Sequence, residues 1–189
     1  MSPRRLTAVI KFGGSLLNDP QLHARVSAAL GHLNQRHALL VVPGGGPLAD
    51  AVRTLDRRMS LGNDVSHWMA ILAMDQHARL LANRIPNATL VDGPDEIASA
   101  MAVGQLPVLD PTRWLEASDP LPHEWSVTSD SIAAWVAGVI GAPRVVLVKS
   151  VDAPLATVVD GYFATALQSH IVATVLSATR IDELEAMVE

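Results

Sequence analysis

Only two lysines, Lys11 and Lys149, occur among the 14 basic residues of this 189-residue chain; the other 12 are arginines. Arginine serves wherever a generic surface cation is enough. A retained lysine therefore points to a need for a compact ammonium rather than a planar guanidinium. Lys11 opens the run Lys11-Phe12-Gly13-Gly14-Ser15, directly after an apolar stretch, and Lys149 opens Lys149-Ser150-Val151-Asp152 after another. A second glycine run is Pro43-Gly44-Gly45-Gly46-Pro47. Glycines at a strand end let backbone N–H groups approach an anion and form a nest. A helix opening there adds a partial positive charge. Two such loops side by side could hold two anions face to face, which suits transfer of a phosphoryl group. Plain turns beside solvated lysines, and a flexible connector at Gly44 to Gly46, are the competing readings. The spacing is neither that of a P-loop nor that of a dinucleotide fingerprint.

A third cluster is Leu121-Pro122-His123-Glu124-Trp125-Ser126-Val127-Thr128-Ser129-Asp130. Asp130 falls in the first turn of a predicted helix. It is either a favourable charge at a helix N-terminus or an acceptor that orients Lys11 and Lys149. His123 and Trp125 either contact a substrate or pack together, and Asp152 is a cap or a nucleotide contact. With no cysteine, disulfides, thiolate metal sites and a cysteine nucleophile are excluded. No H-E-x-x-H or G-x-S-x-G motif is present. The seven histidines, at 23, 32, 37, 67, 77, 123 and 170, are scattered and read mostly as surface or packing residues. No protein-held metal is expected, and Mg²⁺ needs few protein ligands when substrate phosphates supply the rest.

The elements that must position these residues follow from periodicity and stop signals. Strands are expected at 6–10, 38–42, 89–91, 107–109, 144–148 and 170–176. Helices are expected at 20–33 with Asp19 as N-cap and Pro20 at N1, at 47–58, and at 64–84 with Asp64 as N-cap. Further helices are expected as a short one from Pro94, one capped by Thr128 or Ser129 that runs to Ile140, and one at 181–188. Apolar strands alternating with helices mean an α/β domain with a largely parallel sheet covered on both faces. Ligands then bind beyond the carboxyl ends of the strands, where both glycine runs lie. On the 64–84 helix, Val65, Trp68, Met69 and Leu72 form an apolar stripe. It is to be buried either within the chain or against a second subunit.

Composition bounds the function. A net charge of −5 argues against a nucleic-acid binder, which carries a basic face. A hydrophobic content of 49 % argues against disorder. The apolar run after Arg4-Arg5 stops at Lys11, short of a signal peptide. Neither the uncharged Gly161 to Thr179 segment nor Ser131 to Pro143 reads as a spanning helix. A cytoplasmic protein with no membrane or nucleic-acid partner is expected.

In that order, Lys11-Phe12-Gly13-Gly14-Ser15, Pro43-Gly44-Gly45-Gly46, Thr128-Ser129-Asp130 and Lys149-Ser150-Val151-Asp152 resemble the amino acid kinase superfamily. The stretch Leu121 to Trp135 and His67-Trp68-Met69-Ala70 are similar to a small branch, the [5-(aminomethyl)furan-3-yl]methyl phosphate kinases of methanofuran biosynthesis. The resemblance implies a three-layer αβα sandwich, ATP and Mg²⁺ as cosubstrate and cofactor, in-line transfer without a covalent intermediate, and a homodimer formed through the 64–84 region. It assigns Lys11 to the transferred phosphoryl group. Gly13, Gly14, Gly44 and Gly45 supply N–H groups, with Ser15 and Gly46 beside them. Asp130 organises the lysines. A late G-G-M-x-x-K segment of larger members is missing, so Lys149 is taken as its substitute.

The C-terminal nucleotide lobe is read as shortened, with Val159-Asp160-Gly161-Tyr162 as its remnant. The whole chain, 1–189, is read as one domain, about 1–125 for the acceptor and about 126–189 for the nucleotide. Asp64, Trp68, His123, Glu124, Trp125 and Ser129 are candidate acceptor contacts, the carboxylates and rings serving an aminomethyl cation. Ser150, Asp152 and Gly161 are candidate nucleotide contacts. The expected activity is an ATP-dependent kinase that converts a small phosphomonoester into a diphosphate. The alternatives are another phosphomonoester or carboxylate acceptor, or a catalytically weak nucleotide-binding regulatory subunit.

Overall fold

The computed structural model describes residues 5–189; residues 1–4, Arg4 included, lie outside the described residues. Among the described residues there are six strands: β1 (Leu6–Phe12), β2 (Ala38–Pro43), β3 (Ala88–Val91), β4 (Leu106–Leu109), β5 (Arg144–Lys149) and β6 (Val172–Ser177). They form one sheet in the order β3-β4-β2-β1-β5-β6. Every pairing is parallel, where a largely parallel sheet was expected. Each return crosses over through helix, as parallel pairing requires. The helices are α1 (Pro20–Leu33), α2 (Gly46–Met59), α3 (Asn63–Arg84), α4 (Pro94–Ala102), α5 (Thr112–Ser118), α6 (Ser129–Val139), α7 (Leu155–Val158), α8 (Phe163–Ala166) and α9 (Leu184–Val188).

Strand alternation splits the core into two layers. On one face Val9, Leu40, Val42, Val145 and Leu147 pack against Ile132, Ala133 and Val136 of α6, Ile97 of α4 and Leu115 of α5. On the other, Ile10, Phe12, Leu39, Val41, Val146 and Val148 meet Val26 and Leu30 of α1, Leu81 of α3 and Leu184 of α9. The result is an αβα sandwich.

The helix starts obey local chemistry. Asp19 caps α1 by accepting from the Leu22 N–H at 3.0 Å, with Pro20 at N1. At α3 the expected cap is wrong: Gly62 (φ 81) is the N-cap and Asp64 sits in the first turn, its carboxylate bonded to His123 instead. Helix α5 was not anticipated, because its seven residues bury only Leu115 and so carry no apolar period. The C-terminal helix expected at 181–188 divides into a 3₁₀ segment, Ala178–Glu183, and α9. His170 lies in a turn before β6 rather than in the strand. Along α3, Ile71, Met74, Ala78 and Leu81 are buried, whereas Val65 is 50 % and Leu72 48 % exposed. No helix among the described residues is long and apolar enough to cross a membrane.

Candidate active site

β1 is central, between β2 and β5, and its alternation decides which way Lys11 points. Lys11 shares a face with Val9, the α6 face, while Phe12 faces α1. Register pairs Lys11 with Leu147. Lys149 therefore stands two residues further along the neighbouring strand, on the same face. The N-terminus of α6 lies over both. Asp130 Oδ2 accepts from Lys149 Nζ at 2.6 Å, and Oδ1 lies 3.0 Å from Lys11 Nζ, a charge contact without an aligned hydrogen bond. One buried carboxylate thus holds two ammonium groups, one per oxygen. Burial alone would raise the Asp130 pKa, but the charges of Lys11 and then Lys149 outweigh it and hold the carboxyl below its ordinary value. Burial, and then the charge of Lys11, push Lys149 below the usual lysine value against the pull of Asp130.

A second carboxylate, which the sequence did not reveal, holds this arrangement. Asp160 accepts from the Thr128 N–H at 2.8 Å and hydroxyl at 2.7 Å, from the Ser131 N–H at 3.1 Å and hydroxyl, and from the Tyr162 N–H at 3.2 Å. It thereby takes the Ser131 N–H, one of the open groups at the start of α6, while the Thr128 N-cap hydroxyl accepts from the Asp130 N–H at 3.4 Å, and the two together fix the turn carrying Asp130. Two residues earlier, the Val158 carbonyl accepts from Lys149 Nζ at 2.8 Å. Asp160 acts on residues 29 and 32 positions away, so no local pattern could signal it.

The glycine loops fit differently from expectation. The Gly13 N–H donates to Val148 O at 2.9 Å and the Gly44 N–H to Phe12 O at 2.8 Å. These two N–H groups extend the sheet and do not face an anion. Gly14, Ser15, Gly45 and Gly46 line the cleft with both lysines. Gly46 has φ +53, and a Cβ there would lie 2.1 Å from Gly14 O. A Cβ on Gly14 would lie 2.2 Å from the Gly46 nitrogen. The glycines let the two loops lie backbone against backbone. Gly46 then opens α2, whose first N–H groups have no partner within the helix.

Beyond the loops the cleft is lined by Asp50 and Arg53 of α2, His67 of α3, and Glu124, Trp125 and Ser129. Trp125 Nε1 donates to Asp56 at 2.7 Å, and the Arg53 guanidinium sits 4.5 Å from the ring centroid. His123, Asp64 and Trp68 stand behind this wall. His123 bonds Asp64 at 2.7 Å and Asp119 at 2.8 Å. Its ring stacks on His67 at 4.0 Å and meets Trp68 edge-on at 5.2 Å. The Asp64 contact, then Asp119, raises the His123 pKa. Burial, and then the His123 charge, hold His67 down to about 4. The imidazole facing the cleft is thus the neutral His67, not His123, and the histidines are not scattered as the sequence implied.

On the far side, Ser150 Oγ lies 2.9 Å from Ser15 Oγ, and Asp152 pairs with Arg180 at 3.1 Å. Gly161 lies against Ser126. None of Ser150, Asp152 and Gly161 lines the cleft. Nor does the cleft build a protein-held metal site. Both Asp130 oxygens face ammonium groups, Asp50 pairs with Arg53 at 2.8 Å, and Glu124 accepts from Ser126 at 3.0 Å. Among the described residues, His37, Glu185 and Glu189 bring three ligand atoms together. That group sits at the amino end of β2, and Glu185 already pairs with Arg36 at 2.8 Å.

An all-parallel sheet, doubly covered, with two interlocked glycine loops and a lysine–aspartate–lysine cluster at its strand ends defines an α/β protein whose cleft carries two ammonium groups against one carboxylate. The profile of the amino acid kinase family matches residues 7–153, and the chain belongs to that family. It is 28 % identical over 146 residues to a [5-(aminomethyl)furan-3-yl]methyl phosphate kinase of Methanocaldococcus jannaschii, covering 76 % of this chain and 66 % of that protein. It is also 28 % identical over 150 residues to a uridylate kinase of Methanococcoides burtonii, covering 76 % of this chain and 59 % of that one. The chain thus spans 66 % and 59 % of the length of these two relatives, less than two thirds of each. The UMP kinase of Ureaplasma parvum has the same fold, with a TM-score of 0.77 at 15 % identity over 98 % of this chain and 97 % of that one.

Proposed function

We propose that the protein transfers the γ-phosphoryl group of ATP to the phosphate of a small phosphomonoester, and that this acceptor is [5-(aminomethyl)furan-3-yl]methyl phosphate. The observation that carries the reading is the carboxylate of Asp130 spanning Lys11 and Lys149 at the mouth of two glycine loops. A lone pair on an acceptor phosphate oxygen forms the new bond to Pγ as the bond from Pγ to the ADP oxygen breaks, giving a diphosphate and ADP. The attacking oxygen is already ionised, so no general base is required. The obstacle is repulsion between two anions, and fixed ammonium and N–H groups offset it. Asp130 holds the ammonium groups in place, and Gly14, Gly45 and Gly46 supply N–H groups. Mg²⁺ travels on the nucleotide phosphates, which need few protein ligands to hold it.

The part up to about residue 125 serves the acceptor and the part from about residue 126 the nucleotide, with Ser150, Asp152 and Gly161 on the nucleotide side. The aminomethyl cation fits the Glu124 carboxylate and the Trp125 face, with Ser129 at the mouth. Asp64, Trp68 and His123 act indirectly, by holding His67. ATP as donor places the reaction in the cytoplasm, and the exposed apolar face of α2 and α3 fits a homodimer. Uridylate is a second acceptor reading, favoured by the Methanococcoides relative. A panel of acceptors with Mg·ATP, scored by ADP release, tests both. Turnover highest with the aminomethylfuran phosphate supports the first reading, and a preference for UMP the second. ATP binding without turnover on any acceptor would leave only a nucleotide-binding subunit.

A further inference from the structure

We propose that His77 is a positioning residue for the second glycine loop: with His23 behind it, it fixes the Gly44–Gly45 peptide so that the Gly45 N–H faces the cleft. His77 and His23 are 1 % and 6 % exposed, and neither lines the cleft. His77 Nδ1 lies 2.6 Å from Gly44 O. Its Nε2 lies 3.2 Å from His23 Nε2. Phe12 closes the group, with its ring centroid 4.9 Å from that of His23 and 5.4 Å from that of His77.

A run of three glycines is the backbone most free to rotate a peptide plane. Such a rotation would turn a carbonyl towards the phosphate in place of an N–H. Gly44 is held at both ends against it: its N–H donates to Phe12 O at 2.8 Å, and its carbonyl accepts from His77. In a trans peptide the carbonyl and the following N–H point in opposite directions. With Gly44 O held towards α3, the Gly45 N–H points the other way, and Gly45 lines the cleft.

The proton roles close. A carbonyl only accepts, so His77 carries its proton on Nδ1, and its Nε2 accepts from the Nε2–H of His23. Burial first, and the charges of His23 and Lys11 with it, hold His77 down to about 4 despite the Gly44 bond. Burial and then Arg84 lower His23. Both rings are neutral at pH 7, so the brace orients a dipole without adding charge.

The inference deepens the kinase reading and rests on it for the identity of the anion. The test compares wild type, His77→Leu, His77→Gln and His77→Asn by steady-state kinetics with Mg·ATP and the acceptor phosphate. Melting curves and ¹⁵N-glycine spectra during a pyrophosphate titration accompany them. Asn places an amide near the Nδ1 position, whereas Gln places it near Nε2 and cannot reach Gly44 O. The expected result is a rise in the KM of a phosphate substrate of about tenfold or more for His77→Leu and His77→Gln, with loss of the Gly45 amide shift on titration. His77→Asn should return to within about threefold of wild type. If His77→Leu does not fold, His77→Gln against His77→Asn makes the same comparison. Wild-type KM in folded His77→Gln, or equal damage in folded His77→Asn, overturns the inference while leaving the kinase reading intact. A wild type that turns over no acceptor and binds no pyrophosphate overturns the kinase reading, and with it the anion this loop is proposed to meet.

Discussion

At the scale of residues, the centre of the site is a charge balance. A buried ammonium group, Lys11, and a partly buried one, Lys149, face one carboxylate that is 3 % exposed. Asp130→Asn keeps the shape but leaves both lysines without a counter-charge, and presents an amide N–H to one of them. Breaking such a buried pair costs about 3–5 kcal/mol. Asp130→Asn is therefore expected to melt well below wild type, and to recover more stability than wild type when pyrophosphate supplies the missing negative charge. Its kcat should fall on the order of 10²-fold through misplaced ammonium groups. Calorimetry with and without pyrophosphate checks the first point. Equal stabilisation of the two proteins would contradict a carboxylate that balances the two lysine charges. Much of this was legible in the sequence: the scarcity of lysine singled out Lys11 and Lys149, and an Asp in a first helical turn singled out Asp130. Asp160 and His67 lay within stretches the resemblance marked, but their roles, and that of His77, were not legible, because each acts across the fold on a partner that no spacing rule connects to it.

At the scale of elements, the glycine loops separate two demands that look alike in sequence. Gly46 needs both a left-handed backbone and room, with φ +53 and Gly14 O 2.1 Å from a would-be Cβ. Gly141 needs only the backbone, with φ +67 and nothing within 4 Å. Gly46→Ala should lose about 2–5 kcal/mol from strain and overpacking together, and Gly141→Ala about 1–2 kcal/mol from strain alone. Denaturant midpoints read the difference, and equal losses would contradict the locking of loop on loop. Gly45 is different again: its φ is −72, and a Cβ would meet Ala49 Cβ at 2.6 Å. The glycine there serves packing on α2, a distinction that a run of identical letters does not carry.

The contact between α3 and the end of β4 makes a pH prediction. Asp75 accepts from the Thr112 N–H at 3.2 Å. Burial, and then a shared hydrogen bond with Asp110, raise its pKa from 3.8 to about 7. A carboxyl raised on folding contributes stability fully present below its ordinary value and lost as pH rises through the raised one. Wild type should therefore melt lower at pH 8 than at pH 6, and Asp75→Asn should flatten that decline. Melting temperatures at the two pH values decide it, and an equal decline in both proteins would contradict the shared proton.

At the scale of the whole molecule, the alternation of apolar strands and helices was enough to read a largely parallel sheet covered on both faces, with its site at the carboxyl strand ends, and the family resemblance added the αβα sandwich. The strand order and the neighbouring places of Lys11 and Lys149 came only with the register of β1 against β5. The outer face of α2 and α3 exposes Leu55 at 39 %, Met59 at 66 %, Val65 at 50 % and Leu72 at 48 %. Under the homodimer reading, Leu72→Glu should shift sedimentation from dimer to monomer, whereas a wild type already monomeric at micromolar concentration would reject that reading.

The central claim is that Lys11, Asp130 and Lys149 bring a phosphoryl donor and a phosphate acceptor together. Phosphorus NMR of wild type with Mg·ATP and [5-(aminomethyl)furan-3-yl]methyl phosphate tests it most directly, beside Lys11→Arg under the same conditions. The predicted result is the coupled doublets of a new diphosphate appearing in step with ADP, slowed on the order of 10²-fold in Lys11→Arg. Inorganic phosphate appearing with no diphosphate, or diphosphate forming at the wild-type rate in Lys11→Arg, would contradict it.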